Sequence, residues 1–199
     1  RGACSKLRYA AMAAACLAYL SRRQGDRVGL CAYADDIVSW LPPTRHHDGG
    51  QRLFNALQGL QPGGQADHTR ALRFVSERLS RRGLVVLLSD FHGLEDDLEA
   101  LARRLRVAHH DGIAFQILDR DELDLPWSQT TRFVDSEDGH ELTTAPALIR
   151  SGYRAAMDAF LEQIRGLCLS QQFDYLLLPS SDHLGNLLAA YLHRREALS

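Results

Sequence analysis

Residues 81–92 read Arg-Arg-Gly-Leu-Val-Val-Leu-Leu-Ser-Asp-Phe-His, and the central stretch Leu84–Ser89 (LVVLLS) decides the fold. Five apolar residues in succession, opened by Gly83 and closed by Ser89-Asp90, are too few for a buried helix. They are apolar on both faces, as a parallel strand covered by helices on each side must be. Working outward, Leu94–His109 places Leu94, Leu98, Leu101 and Leu105 on one helical face, and Ile113–Leu118 (IAFQIL) is a second strand. Upstream lie a helix over His68–Arg81, a loop over Gln61–Asp67 and a short helix over Gln51–Leu60. Before these come a strand over Arg27–Ala34 and a second over Ile37–Leu41, closed by Pro42-Pro43. Ser5–Arg23 is an opening helix. Downstream, residues 125–144 hold short β-like pieces around an Asp138-Gly139 turn, which predicts a small β-hairpin insertion. A long helix over Ala147–Gln171, a strand over Phe173–Leu178 and a helix over His183–Ala197 complete the chain. Strands alternating with amphipathic helices predict an α/β fold: a doubly wound, mostly parallel sheet with helices on both faces, in one domain over 1–199.

Composition narrows the function. The 199 residues are 45% hydrophobic and 24% charged, and 23 Lys and Arg against 25 Asp and Glu leave a net charge of −2. Such balance argues against a wide nucleic-acid footprint, which needs a clustered basic face. Cys4, Cys16, Cys31 and Cys168 form no CxxC pair and no zinc spacing. They read as reduced structural thiols in a cytoplasmic protein. The uncharged run Tyr9–Leu20 is about half a membrane span, so no membrane contact is expected of this chain. A chain that lacks an initiating Met and enters a helix within five residues reads as a piece of a longer protein, whose own membrane anchoring stays open.

Parallel sheets bind ligands at the carboxyl ends of their strands. Those ends carry Asp35-Asp36, then Ser89-Asp90 with His92, then Asp119, Asp121 and Glu122, then Ser180, Ser181 and Asp182. Carboxylates and hydroxyls gathered on one edge suit a hard divalent cation. Asp90, on the most apolar strand, is the foremost candidate. The P-loop, the GxGxxG loop and the GxSxG elbow are all missing from the sequence. His46-His47-Asp48 and His109-His110-Asp111 sit in polar turns and read as surface histidines. Arg22-Arg23, Arg81-Arg82, Arg103-Arg104 and Arg194-Arg195 complement helix dipoles.

The stretches SKLRYAAMAAACLAYLSRRQGDRVGLCAYAD, RRGLVVLLSDF, HHDGIAFQILDRDELDLP, FVDSEDGHEL and FDYLLLPSSDHLGNLLAAYLHRR follow one another over essentially all 199 residues. In that order they resemble the bacterial domain-of-unknown-function 58 family, which is similar to von Willebrand factor A domains. The resemblance implies a non-enzymatic protein-interaction module, acting with a MoxR-type AAA+ ATPase in assembly or maturation of other proteins. It also implies Mg²⁺ in the intact parent, at an adhesion-type site built from a DxSxS loop, a Thr and an Asp. Asp90 matches the Asp. The Thr-Asp-Leu position falls on Ala66-Asp67-His68, with Thr69 nearby, so Asp90, Asp67 and Thr69 form an incomplete and degenerate metal set. No tight metal binding is expected of this chain. Asp35, Asp36, Ser89 and His92 are the expected partner-binding residues.

The resemblance further implies an N-terminally truncated domain whose central first strand precedes Arg1. That strand would lie between the strands over 27–34 and 84–89, leaving two apolar edges. The expected outcomes are direct closure of the gap, an edge-paired or swapped homodimer, or residues supplied by the parent. The competing reading is a Mg²⁺-dependent phosphoesterase or nuclease, with Asp35, Asp36, Asp90, Asp119 and Glu122 around two ions. A scaffold without a ligand is the third.

Overall fold

The computed structural model describes residues 4–63, 66–134 and 141–196, apart from the side chains of 95–97 and 191–196. The chain runs α1 (Lys6–Arg23), β1 (Val28–Tyr33), β2 (Ile37–Thr44), α2 (Gly49–Gln58), α3 (His68–Arg78), β3 (Leu84–Ser89) and α4 (Glu95–Val107). It continues β4 (Asp111–Leu118), α5 (Arg120–Asp124), β5 (Thr131–Val134), β6 (Glu141–Thr144), α6 (Pro146–Ser170), β7 (Asp174–Pro179) and α7 (Leu184–Glu196). The α/β alternation expected from the apolar runs is what forms.

A three-stranded parallel sheet in the order β3-β4-β7 is the heart of the molecule. Val86 stands opposite Ile113, and Phe115 opposite Leu176. From Gly112 to Leu118, β4 is buried throughout, because it has a strand on each side and helices above and below. On one face Ala114 packs with Leu94, Leu98, Leu101 and Leu105 of α4 and its lead-in and with Ile164 and Cys168 of α6. On the other, Ile113, Phe115 and Ile117 pack with Tyr9 of α1 and Leu188 of α7. Helices therefore cover both faces. Gly112 is required where it stands: a Cβ there would meet the Phe173 ring at 2.2 Å.

Two features depart from the single sheet that the periodicity predicts. First, β1 and β2 form a separate antiparallel pair, and β1 has no ladder to β3. The gap between the two apolar strands is not closed by direct pairing. Helix α1 packs against β1, β3 and β4 alike. Its alanines make this possible: Ala11, Ala14, Ala15 and Ala18 join the β1–β2 cluster, while Tyr9, Ala10 and Leu17 join the parallel sheet. Second, β2 does not stop before the prolines. It runs through Pro42-Pro43 to Thr44, because proline is tolerated on a strand whose outer edge needs no donor.

The hairpin insertion forms, with Phe133 opposite Leu142. Its expected Asp138-Gly139 turn lies outside the described residues. His110 corrects the expectation of a surface histidine: it is only 6% exposed. Its backbone N–H donates to Leu105 O, which folds the turn between α4 and β4 back against the core. The four cysteines form no disulfide; Cys168 is buried and Cys4 and Cys31 are half-buried, whereas Cys16 is exposed and does not pack as a structural thiol. Burial pushes the Cys31 and Cys168 thiols up to about 11. No helix among the described residues is long and apolar enough to cross a membrane.

Candidate functional site

The C-terminal ends of β3, β4 and β7 meet in one hydrogen-bonded polar cluster. Asp90 follows β3 at a sharp turn. Phe91 takes φ +65°, a left-handed conformation that costs an aromatic residue free energy. It is held there by complete burial of its ring among Leu72, Leu94 and Leu98. Phe91 N donates to Ser89 Oγ at 3.0 Å, and His92 N donates to Asp90 Oδ1 at 3.2 Å. Below the turn, Gln116 Nε2 donates to Asp90 O at 2.9 Å, and Tyr175 Oη donates to Gln116 Oε1 at 2.7 Å. Burial raises the Tyr175 hydroxyl to about 12, so it remains a donor at neutral pH.

Asp119, at the end of β4, caps α5. Its Oδ1 accepts from Asp121 N at 3.0 Å, and its Oδ2 accepts from Ser180 Oγ at 3.0 Å. Glu122 completes a capping box by accepting from Asp119 N at 2.8 Å. Tyr153 of α6 donates to Glu122 O at 2.6 Å. The two strand-end carboxylates thus each spend one oxygen on a backbone N–H. Their remaining oxygens converge on a single cation: Lys6 Nζ lies 3.1 Å from Asp90 Oδ2 and 2.7 Å from Glu122 Oε1. Lys6, Asp90 and Glu122 are 34%, 32% and 36% exposed at their side chains, so the triad faces solvent over the sheet edge. Desolvation lowers the Lys6 pKa, but the bonds to Glu122 and Asp90 outweigh it and hold it above its ordinary value. The ammonium is charged throughout the neutral range.

The other expected residues make contacts of their own. Asp35 and Asp36 form the β1–β2 turn. Asp36 accepts from Ile37 N at 2.6 Å and pairs with Arg70 of α3 at 2.9 Å. Asp67 caps α3: its Oδ1 accepts from Arg70 N at 2.8 Å, while its own N–H donates to Ala34 O at 2.8 Å. Thr69 is exposed on the first turn of α3. Tyr33, the last residue of β1, bonds His68 Nδ1 at 3.1 Å. Its hydroxyl rises to about 12, first through burial and then through the negative charge of Cys31 and Asp90. The exposed His92 ring stacks on Phe160 of α6, with centroids 4.7 Å apart and planes 4° apart.

The Mg²⁺ implied by the resemblance does not fit these residues. Asp67 spends one oxygen on capping α3, Asp90 carries an ammonium on one oxygen and a backbone N–H on the other, and neither belongs to a converging ligand group among the described residues. The one group of three His, Cys or carboxylate ligands that converges among the described residues is His46-His47-Asp48, elsewhere and exposed. Arg22 explains its geometry, donating to Thr44 O, His46 O and His47 O and so drawing the loop together.

Sequence reasoning found Asp90, Asp119, Glu122 and Ser180 by their position after strands. It missed Lys6, Gln116, Tyr153 and Tyr175. A signal for Lys6 was present, because it is the only lysine among the 23 Lys and Arg. A signal for Gln116 was its isolation as the one polar residue of IAFQIL.

Comparison with known proteins agrees with this architecture. Conserved hypothetical protein BatB from Bacteroides thetaiotaomicron has a similar fold, with a TM-score of 0.56 at 14% identity over 97% of this chain and 89% of that one. An aerotolerance-related membrane protein from Bacteroides fragilis, with multiple mutations to serines, also scores 0.56 at 14% identity, over 92% and 86% of the two chains. No curated protein matches. The family whose pattern spans residues 1–161 is the one described as "Protein of unknown function DUF58", and this chain belongs to it.

Proposed function

We propose that the chain is a non-catalytic protein-interaction module of von Willebrand factor A-like design, which binds a partner through the strand-end surface. The partner proposed is a MoxR-type AAA+ ATPase, in assembly or maturation of other proteins. The observation that carries this reading is the rigid mounting of an open, charged surface. Asp90 and Glu122 are fixed by backbone donors and bridged by Lys6, next to His92 stacked on Phe160, and Asp36 is exposed at the β1–β2 turn. A preorganised polar rim of this kind loses little entropy on docking. Against the metal-dependent phosphoesterase reading stands the ammonium between the two carboxylates that would have to share ions. The hydroxyls within reach, Ser180 and Tyr153, both donate to protein acceptors. The reading extends to a cytoplasmic setting and to self-association through an open strand edge.

The test is direct binding of the purified ATPase to the immobilised chain. Asp90→Ala and the pair Asp36→Ala, His92→Ala are each expected to weaken capture by about tenfold or more, the size of a hot-spot loss. Equal capture by wild type and all variants removes the strand-end surface from the account.

A further inference from the structure

The disagreement between the expected metal and the residues present is informative in itself. We infer that Lys6 is the resident counter-cation of the strand-end site, a built-in ammonium standing between Asp90 and Glu122 where a divalent ion would otherwise be called for.

Three observations carry this. The first is geometric. Asp90 and Glu122 come from different elements, and each orients one oxygen by accepting a backbone N–H, from His92 and Asp119. The free oxygens then meet at Lys6 Nζ, at 3.1 and 2.7 Å. The second is the nature of the cation. The chain uses arginine at every basic position except this one. A guanidinium is a wide planar fork, whereas an ammonium is a compact point charge. The second meets both carboxylates through one atom, as a small ion does. The third is placement. Lys6 is the first residue of α1, and Ser5 caps the helix by accepting from Arg8 N. The cap fixes where the Lys6 side chain leaves the helix, and the ion pairs pin α1 across the end of the parallel sheet.

Several consequences follow. Folding and partner binding by this chain are independent of divalent cations. The Lys6 charge repels any metal approaching Asp90. Removing that charge uncovers two oriented carboxylates, the donor type that hard divalent ions take.

Mn²⁺ is the probe, followed through loss of its free electron-spin-resonance signal. All proteins carry Asp48→Ala to remove the exposed His46-His47-Asp48 group as a competing place. The chain with native Lys6 is expected to leave the Mn²⁺ signal unchanged, and its thermal midpoint is expected to be the same in Mg²⁺ and in EDTA. Lys6→Met is expected to bind Mn²⁺ at least about tenfold more tightly, and Asp90→Asn added to Lys6→Met is expected to abolish that gain. Lys6→Arg should fail to restore the native thermal midpoint although it keeps the charge. Mn²⁺ binding by the Lys6 protein that Asp90→Asn removes overturns the inference, and so does a folded Lys6→Met that gains nothing. The Mg²⁺ and EDTA comparison needs no variant at Lys6, so a poorly folded substitution leaves the inference exposed to refutation. Failure here leaves the ATPase-binding result untouched, because the two use different ligands.

Discussion

Gln116 is fully buried in the middle of an apolar strand, and both ends of its amide are used. Its Nε2 holds the Asp90 carbonyl at the strained turn, and its Oε1 receives the Tyr175 hydroxyl. A buried polar group is tolerated when it is satisfied and costly when its partner is removed. Gln116→Leu preserves volume but strips the Asp90 carbonyl and the Tyr175 hydroxyl of their partners. We expect it to destabilise the chain by about 1–3 kcal/mol, read as a shift of the urea midpoint at unchanged slope. An unshifted midpoint would mean that water or a neighbour replaces the amide. At this scale the sequence was half informative. Asp90 was legible because a carboxylate directly after an apolar run must lie at a strand end. The role of Gln116 was not, since a lone polar residue in a strand does not say which backbone group, distant in sequence, it meets. Lys6 was hidden for the same reason: its partners are 84 and 116 residues away.

Helix α5 shows how a short element escapes periodicity. Five residues, Arg120–Asp124, make little more than one turn, so no hydrophobic repeat can mark them. Their signature is local instead: Asp119 at the N-cap and Glu122 three residues on, a reciprocal cap that needs only two side chains. The same Asp119 anchors β7 through Ser180. Asp119→Ala is therefore expected to cost about 1–2 kcal/mol in chemical denaturation, with Asp119→Asn recovering most of it. If alanine were as stable as wild type, the cap would be incidental. Longer elements were legible within a few residues, because α4 and α6 bury regular rows such as Leu94, Leu98, Leu101 and Leu105. Pro42-Pro43 misled the reading of β2 because proline ends a central strand but not an outer one. Which strand is outer is settled by pairing, and pairing is not written in the strand itself.

At the scale of the whole molecule, the sequence predicted one sheet and the structure holds a parallel sheet beside a separate antiparallel pair, bridged by α1. The separation leaves one edge of β3 open. Asp111 N donates to Gly83 O at 3.0 Å. By the alternation of a parallel ladder, Val85 and Leu87 also face β4, while the N–H groups of Leu84, Val86 and Leu88 face the other way. Among the described residues no strand pairs with that side. The strand carries no lysine, no proline and no bulge there, unlike β2 with its two prolines. Such an edge is a template for another strand. Amide exchange followed by NMR at low concentration is expected to show Leu84, Val86 and Leu88 exchanging faster than Val85 and Leu87. Self-association through this edge, the form proposed above, predicts that protection of the first three rises with protein concentration while that of the other two stays constant. Leu84→Pro removes one outward donor at the first position of the strand, where proline is tolerated. It is expected to raise the concentration at which the gain saturates and to weaken association in sedimentation velocity. Alternate amides with equal protection at every concentration would show the edge to be already filled, and a rapid outward set unaffected by concentration would show that no second copy uses it.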